Sequence, residues 1–136
     1  VSEPGGRALH SEGHHLTLEQ ITGGGIAWQP FRPGIEILRL HGDTAHGPSS
    51  ALLRYAPGAQ LACHVHTSHE HIVVLSGSQR DERGVYTAGS VIVNVPGSQH
   101  SVTSDEGCVV LAVWEAPVRF VGTDSPPADT TRMRVD

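Results

Sequence analysis

The stretch Gly58-Ala-Gln-Leu-Ala-Cys-His64-Val-His66-Thr-Ser-His-Glu70-His-Ile-Val-Val-Leu-Ser-Gly77 decides the fold. His64 and His66 lie two apart, so on an extended strand both imidazoles leave the same face. The three residues before Glu70 suffice for a tight turn that brings a second strand back alongside the first. Ile72 and Val74 then alternate with Val73 and Leu75, and Gly77 closes the run. Two imidazoles and a carboxylate on neighbouring strands make three sides of a cage for a divalent metal. A fourth donor is offered by His100, which follows a second glycine-bounded strand. The expectation is a barrel built around one ion.

Outward from this stretch the pattern stays that of short strands. Upstream, Ile35 to His41 alternates, Gly42 to Ser50 reads as a loop, Ala51 to Tyr55 as a strand, and Pro57-Gly58 as a turn. Downstream, Gly77 to Gly84 reads as a charged hairpin tip. It is followed by short strands at Val85-Tyr86, Ser90 to Val95 and His100 to Thr103. Cys108 to Trp114 is nearly continuous in apolar residues, as expected of a strand covered on both faces. A last strand is expected within Val118 to Val121. Leu16 to Ile21 fits a short helical turn or an edge strand equally. Residues 1–15 read as a flexible N-terminal arm, 16–121 as one domain and 122–136 as a C-terminal tail. Many short strands with turn signals every few residues, and no helical period beyond a turn, give an all-β barrel or two-sheet jelly roll.

At 136 residues the chain suits one domain with a single sizeable core. Its formal charge of −5 and pI near 6.0 argue against nucleic acid or an anionic membrane as partner. No apolar run reaches membrane-spanning length, and no secretory leader is visible. Cys63 and Cys108 are too few for a disulfide framework and fit a reducing cytoplasm. All nine basic residues are arginine, so lysine Schiff-base chemistry, pyridoxal phosphate enzymes included, is excluded. Gly23-Gly24-Gly25 lacks the Lys-Ser/Thr of a phosphate loop and reads as a bend.

The order Gly58, five residues, His64, one, His66, three, Glu70, six, Gly77 resembles the first cupin motif at every position. The second motif is recognisable from Gly89 through Pro96-Gly97 to His100. It departs from the pattern at Val95, where a proline is common, and at Ser104, where an asparagine is common. The resemblance, to the RmlC-like cupins, spans residues 28–121. It implies a cupin-type double-stranded β-helix with one metal held by His64, His66, Glu70 and His100, usually in a homodimer. Within cupins, three runs are similar to the cupin domain of zinc-binding anti-sigma factors and to acetylacetone-cleaving dioxygenases. They are Trp28 through Pro-Gly-Ile-Glu-Ile-Leu, Leu-Leu-Arg-Tyr-Ala-Pro-Gly-Ala, and Glu-Gly-Cys-Val-Val-Leu. The anti-sigma proteins carry a helical zinc domain ahead of the cupin and these 136 residues include none, so the resemblance does not imply a sigma-factor partner.

Three imidazoles and one carboxylate suit Fe, Zn, Mn, Ni or Co, and ligand type alone does not choose between them. Three function classes use such a cage. The first is an Fe(II)-type dioxygenase acting on a small enolisable or diketone-like compound, with Glu70 as labile ligand or proton acceptor and an apolar pocket including Ile72 and Val74. The others are a non-redox isomerase or lyase, and a non-catalytic metal-holding domain that senses a ligand or has a structural role. Elsewhere, Cys63 and Cys108 read as core packing, and His69 and His71 as facing away from the metal by strand parity. Arg54 fits a peripheral salt bridge better than an anion contact. Trp28 and Trp114 fit core or dimer surface better than a stacking platform. His10, His14 and His15 read as a surface cluster.

Overall fold

The computed structural model describes residues 15–122. The expected arm and tail, with His10 and His14, therefore fall almost entirely outside the described residues. Among the described residues ten strands follow one short helix: α1 (Leu18–Thr22), β1 (Gln29–Arg32), β2 (Ile35–Asp43), β3 (His46–Tyr55), β4 (Gln60–Val65), β5 (Glu70–Asp81), β6 (Gly84–Thr87), β7 (Val91–Asn94), β8 (Gln99–Thr103), β9 (Cys108–Trp114) and β10 (Arg119–Phe120). All pairings are antiparallel, in the order β1-β2-β3-β9-β5-β8-β4-β10, with β6 and β7 also paired to β5. The sheet curls into the expected all-β barrel.

Strand parity decides what lies inside. Ile35 and Ile37 on β2, Ala51, Leu53 and Tyr55 on β3, Ile72 and Val74 on β5, and Val110 and Ala112 on β9 are all buried in one core. Each large aliphatic side chain so placed contributes roughly 1.5–3 kcal/mol. The outer face of the same sheet carries a second apolar layer, Leu38, Leu52, Leu40, Leu75 and Leu111, over which Leu16, Ile21 and Ile26 pack. The segment left open between helix and strand is helical. Thr17 accepts from Gln20 N–H while the Gln20 side chain accepts from Thr17 N–H, closing a capping box.

Three local expectations are corrected. The loop expected at Gly42 to Ser50 is a tight turn at Thr44-Ala45 between extended β2 and β3, held by the Asp43 carboxylate accepting from Ala45 N–H at 2.8 Å. The hairpin tip expected at Gly77 to Gly84 is mostly strand, because β5 continues to Asp81. Gly77 sits at φ 72°, where only glycine is unstrained, and the ladder slips between Val74 and Ser76. The strand therefore swings there from β7 and β9 to β6 and β8 rather than ending. Finally, β9 is covered on both faces at Leu111 but leaves Val113 40% exposed. Among the described residues no helix is long and apolar enough to cross a membrane.

Candidate metal centre

The four expected donors lie inside the barrel, and all four are buried. His64 on β4 stands directly opposite His100 on β8 in the antiparallel register. His66, just past β4, continues that ladder by donating its N–H to Ser98 O at 2.9 Å and accepting from Gly97 N–H at 2.8 Å. The ring centroids of the three histidines are 4.7 to 5.2 Å apart. Each ring offers one nitrogen within 4.8 Å of the others, so the trio could hold a metal ion. Glu70 opens β5 beside them, its Oε1 at 3.0 Å from His66 Nε2.

The hydrogen bonds fix which nitrogen of each ring is free. His64 Nδ1 donates to the Ala62 carbonyl at 2.8 Å, and His66 Nδ1 to the Ser98 carbonyl at 3.1 Å. His100 Nδ1 donates to the Asp81 carboxylate at 2.9 Å. His66 Nδ1 also meets the Ser98 hydroxyl at 3.0 Å, whose own hydrogen goes to Val95 O at 2.6 Å; none of these acceptors returns a hydrogen, so a neutral ring in each place bears its lone pair on Nε2. His64 Nε2 and His100 Nε2 then face each other at 3.1 Å with no proton to share. His66 Nε2 is buried without a hydrogen-bond partner among the described residues, its 3.0 Å approach to Glu70 lacking hydrogen-bond geometry. Three ring lone pairs converge, with the Glu70 carboxylate alongside His66, an arrangement that is repulsive until a cation lies among them. The donor set fits a divalent metal of the borderline class.

Electrostatics agree with a neutral His64 and ionised acids. Burial, aided by His100 and His66, pushes His64 down to about 4 against the pull of Glu70 and Ala62. Burial alone would raise Glu70, but its neighbours His66 and His64, together with the hydrogen bond from Asn94, hold it down to about 2. Asp81 likewise overcomes burial through the His100 and Arg83 N–H bonds and the Tyr86 hydroxyl and is held at about 2.

Three residues at this centre carried no signal recognised in the sequence. Asn94 Nδ2 donates to Glu70 Oε1 at 2.8 Å, and Trp114 Nε1 donates to Glu70 Oε2 at 2.5 Å. Asp81 was hidden by the expected hairpin tip. Asn94 was discoverable, being a polar residue in register with inward Ile92 in an otherwise apolar run. Trp114 is core, as expected, and has this polar role besides. A narrow cavity of about 40 Å³ adjoins the donors, bounded by His64, His100, Glu70, Ile72, Phe31 and Phe120. Val74 packs in the core instead of lining it.

The remaining candidates lie elsewhere. His69 is paired with Glu115 at 3.2 Å, and His71 and His15 are exposed. Arg54 binds Glu36 through Nε at 2.8 Å and stacks over Trp28, so it is a salt bridge. Cys108 is buried as expected, whereas Cys63 is only half-buried.

A family model described as the ChrR Cupin-like domain matches residues 19–118. The anti-sigma-E factor ChrR of Cereibacter sphaeroides is 34% identical over 98 residues, covering 70% of this chain and 45% of that protein. The chain thus spans less than half the length of that curated relative. An acetylacetone dioxygenase from Acinetobacter johnsonii superposes with a TM-score of 0.64 at 18% identity, over 70% of this chain and 72% of the other. The anti-sigma ChrR structure in complex with SigE from Rhodobacter sphaeroides superposes at 0.59 with 22% identity, over 71% and 54%. At these identities the structural likenesses establish a shared fold.

Proposed function

This chain belongs to the ChrR cupin-like family, and from that premise we propose that His64, His66, Glu70 and His100 hold one divalent ion at which a small enolisable, diketone-like compound is oxidised by dioxygen. The observation that carries the metal is the meeting of buried lone pairs without a proton, above all the unpartnered His66 Nε2. The observation that favours a reaction is the apolar cavity abutting those donors, whose size suits a ligand of a few heavy atoms. When bound, a redox-active ion such as iron would supply Lewis acidity and dioxygen chemistry.

The protein's own part is positional. Ile72, Phe31 and Phe120 bound the cavity and exclude bulk water from it. Asn94 and Trp114 fix both oxygens of Glu70, which favours a ligand role over proton acceptance, since a carboxylate held at about 2 is a weak base. That same immobilisation supports a second reading, a metal-holding domain that senses a ligand or is structural, in keeping with an anti-sigma factor among the relatives. A sigma-factor contact for this chain belongs to that second reading. The exposed valines of β7 and β9 support a homodimer, and the two free cysteines suit a reducing compartment.

Metal content of untagged protein, followed by oxygen uptake with a panel of β-diketones, tests this. Iron at one equivalent with diketone-dependent uptake is expected. Tightly held zinc and no uptake in the iron-reconstituted protein overturns the dioxygenase reading in favour of the second.

A further inference from the structure

The three imidazoles are anchored unequally. His64 and His66 donate from Nδ1 to peptide carbonyls, whereas His100 donates to a carboxylate, that of Asp81. The Asp81 side chain is only 3% exposed. Its other partners are all donors: the Tyr86 hydroxyl at 3.0 Å, the Arg83 backbone N–H at 2.8 Å and Arg83 Nη2 at 3.3 Å. The same Nη2 donates to Asn94 Oδ1 at 2.7 Å, and Asn94 in turn donates to Glu70. One connected path therefore runs from His100 through Asp81, Arg83 and Asn94 to Glu70.

We propose that Asp81 is a positioning residue of the metal centre, orienting His100 and, through Arg83 and Asn94, tying it to Glu70 so that the two donors are held as one unit. The proposal rests on the reading of His64, His66, Glu70 and His100 as the ligand set. A carboxylate accepting the Nδ1 proton does two things for the ring. It locks the tautomer and the ring plane, and it raises the basicity of the opposite nitrogen. A peptide carbonyl does only the first well, so His100 is the strongest donor of the three. The bend of β5 at Gly77 makes this possible, since it turns the strand's second half towards β6 and β8 and so brings Asp81 beside His100.

The test is calorimetric titration of the metal-free chain with zinc chloride alone, for the wild type, His66→Ala, Asp81→Asn, Asp81→Leu and Arg83→Leu. An asparagine oxygen still accepts the Nδ1 proton but lacks the charge, so Asp81→Asn should weaken binding about 10-fold. Asp81→Leu, which removes both, should weaken it by up to about 100-fold. Arg83→Leu should lose several-fold, because it leaves the direct Asp81 contact in place. In the cobalt-loaded protein, proton NMR should show three exchangeable, shifted imidazole Nδ1–H signals. One of these should move or vanish in Asp81→Asn, a change that loss of general stability would not produce. Zinc binding within twofold of wild type in Asp81→Leu overturns the proposal. Should that variant not fold, the same result in both Asp81→Asn and Arg83→Leu overturns it. If the wild type fails to bind, or His66→Ala binds equally well, the ligand set itself falls. Loss in His66→Ala with wild-type binding in every Asp81 variant sinks only the role of Asp81.

Discussion

Glu70 accepts from Asn94 on one oxygen and from Trp114 on the other, yet it leans on a histidine nitrogen that has no proton to offer. At this scale the centre is poised against itself, and a bound cation would remove the conflict. Replacing His66 by alanine should therefore abolish stoichiometric metal uptake, read by elemental analysis, together with the stabilisation that metal gives the wild type, read as loss of the metal-dependent Tm shift. Proton binding provides the second test. His64 is held at about 4 in the folded metal-free chain and lies near 6.5 when exposed. Between those values the unfolded state binds the extra proton, so metal-free stability must fall as pH drops from about 6.5 to about 4. One such group is worth about 3 kcal/mol across that window, measurable as a falling urea midpoint. Glu70 and Asp81, both depressed, extend the loss below pH 4.5. A urea midpoint that stays flat from pH 7 to 4 would contradict buried neutral His64.

Among the elements, β5 carries the architecture. Its first half sits between β7 and β9 and delivers Glu70; its second half pairs with β6 and β8 and delivers Asp81. Gly77 is the joint. A Cβ built there would lie 2.0 Å from the Gly107 carbonyl oxygen, which is backbone and unable to yield, at a φ that L residues avoid. Gly77→Ala should destabilise the fold by at least about 2 kcal/mol in urea unfolding and weaken metal binding along with it. Gly58→Ala is the informative contrast. That residue also has positive φ, but nothing lies within 4 Å of its Cβ position, so the strain should appear without the clash and the loss should be smaller.

For the whole molecule, the outer face of the sheet carries a broad apolar patch, interrupted by the Glu36–Arg54 pair and His71, and only part of it is covered. α1 lies over Leu40, Leu52, Leu75 and Leu111, while Val91, Val93 and Val113 stay 65%, 47% and 40% exposed. A second copy packed over these valines would account for them, and Val93→Glu should then convert a dimer to a monomer in light scattering with the metal content unchanged. The barrel, most of its inward residues and the buried meeting of His64, His66 and Glu70 were legible in the sequence for local reasons, while His100 was offered by the second motif. Strand parity is a property of consecutive residues, and glycine and histidine spacing within a motif spans one hairpin. Asp81 was not legible, because whether a chain ends or bends at a glycine depends on what lies against it. Here that is Gly107, thirty positions away. Nor could Asn94 and Trp114 be assigned to the two oxygens of one carboxylate, since that depends on β7 and β9 pairing with either side of β5 in the register that sets both residues opposite Glu70. The sequence by itself thus determined which side chains face inward and which of them can bind a cation. Only the tertiary structure decided which hydrogen bonds orient those side chains, because orientation is set by neighbours that are distant in the chain and adjacent only in the closed sheet.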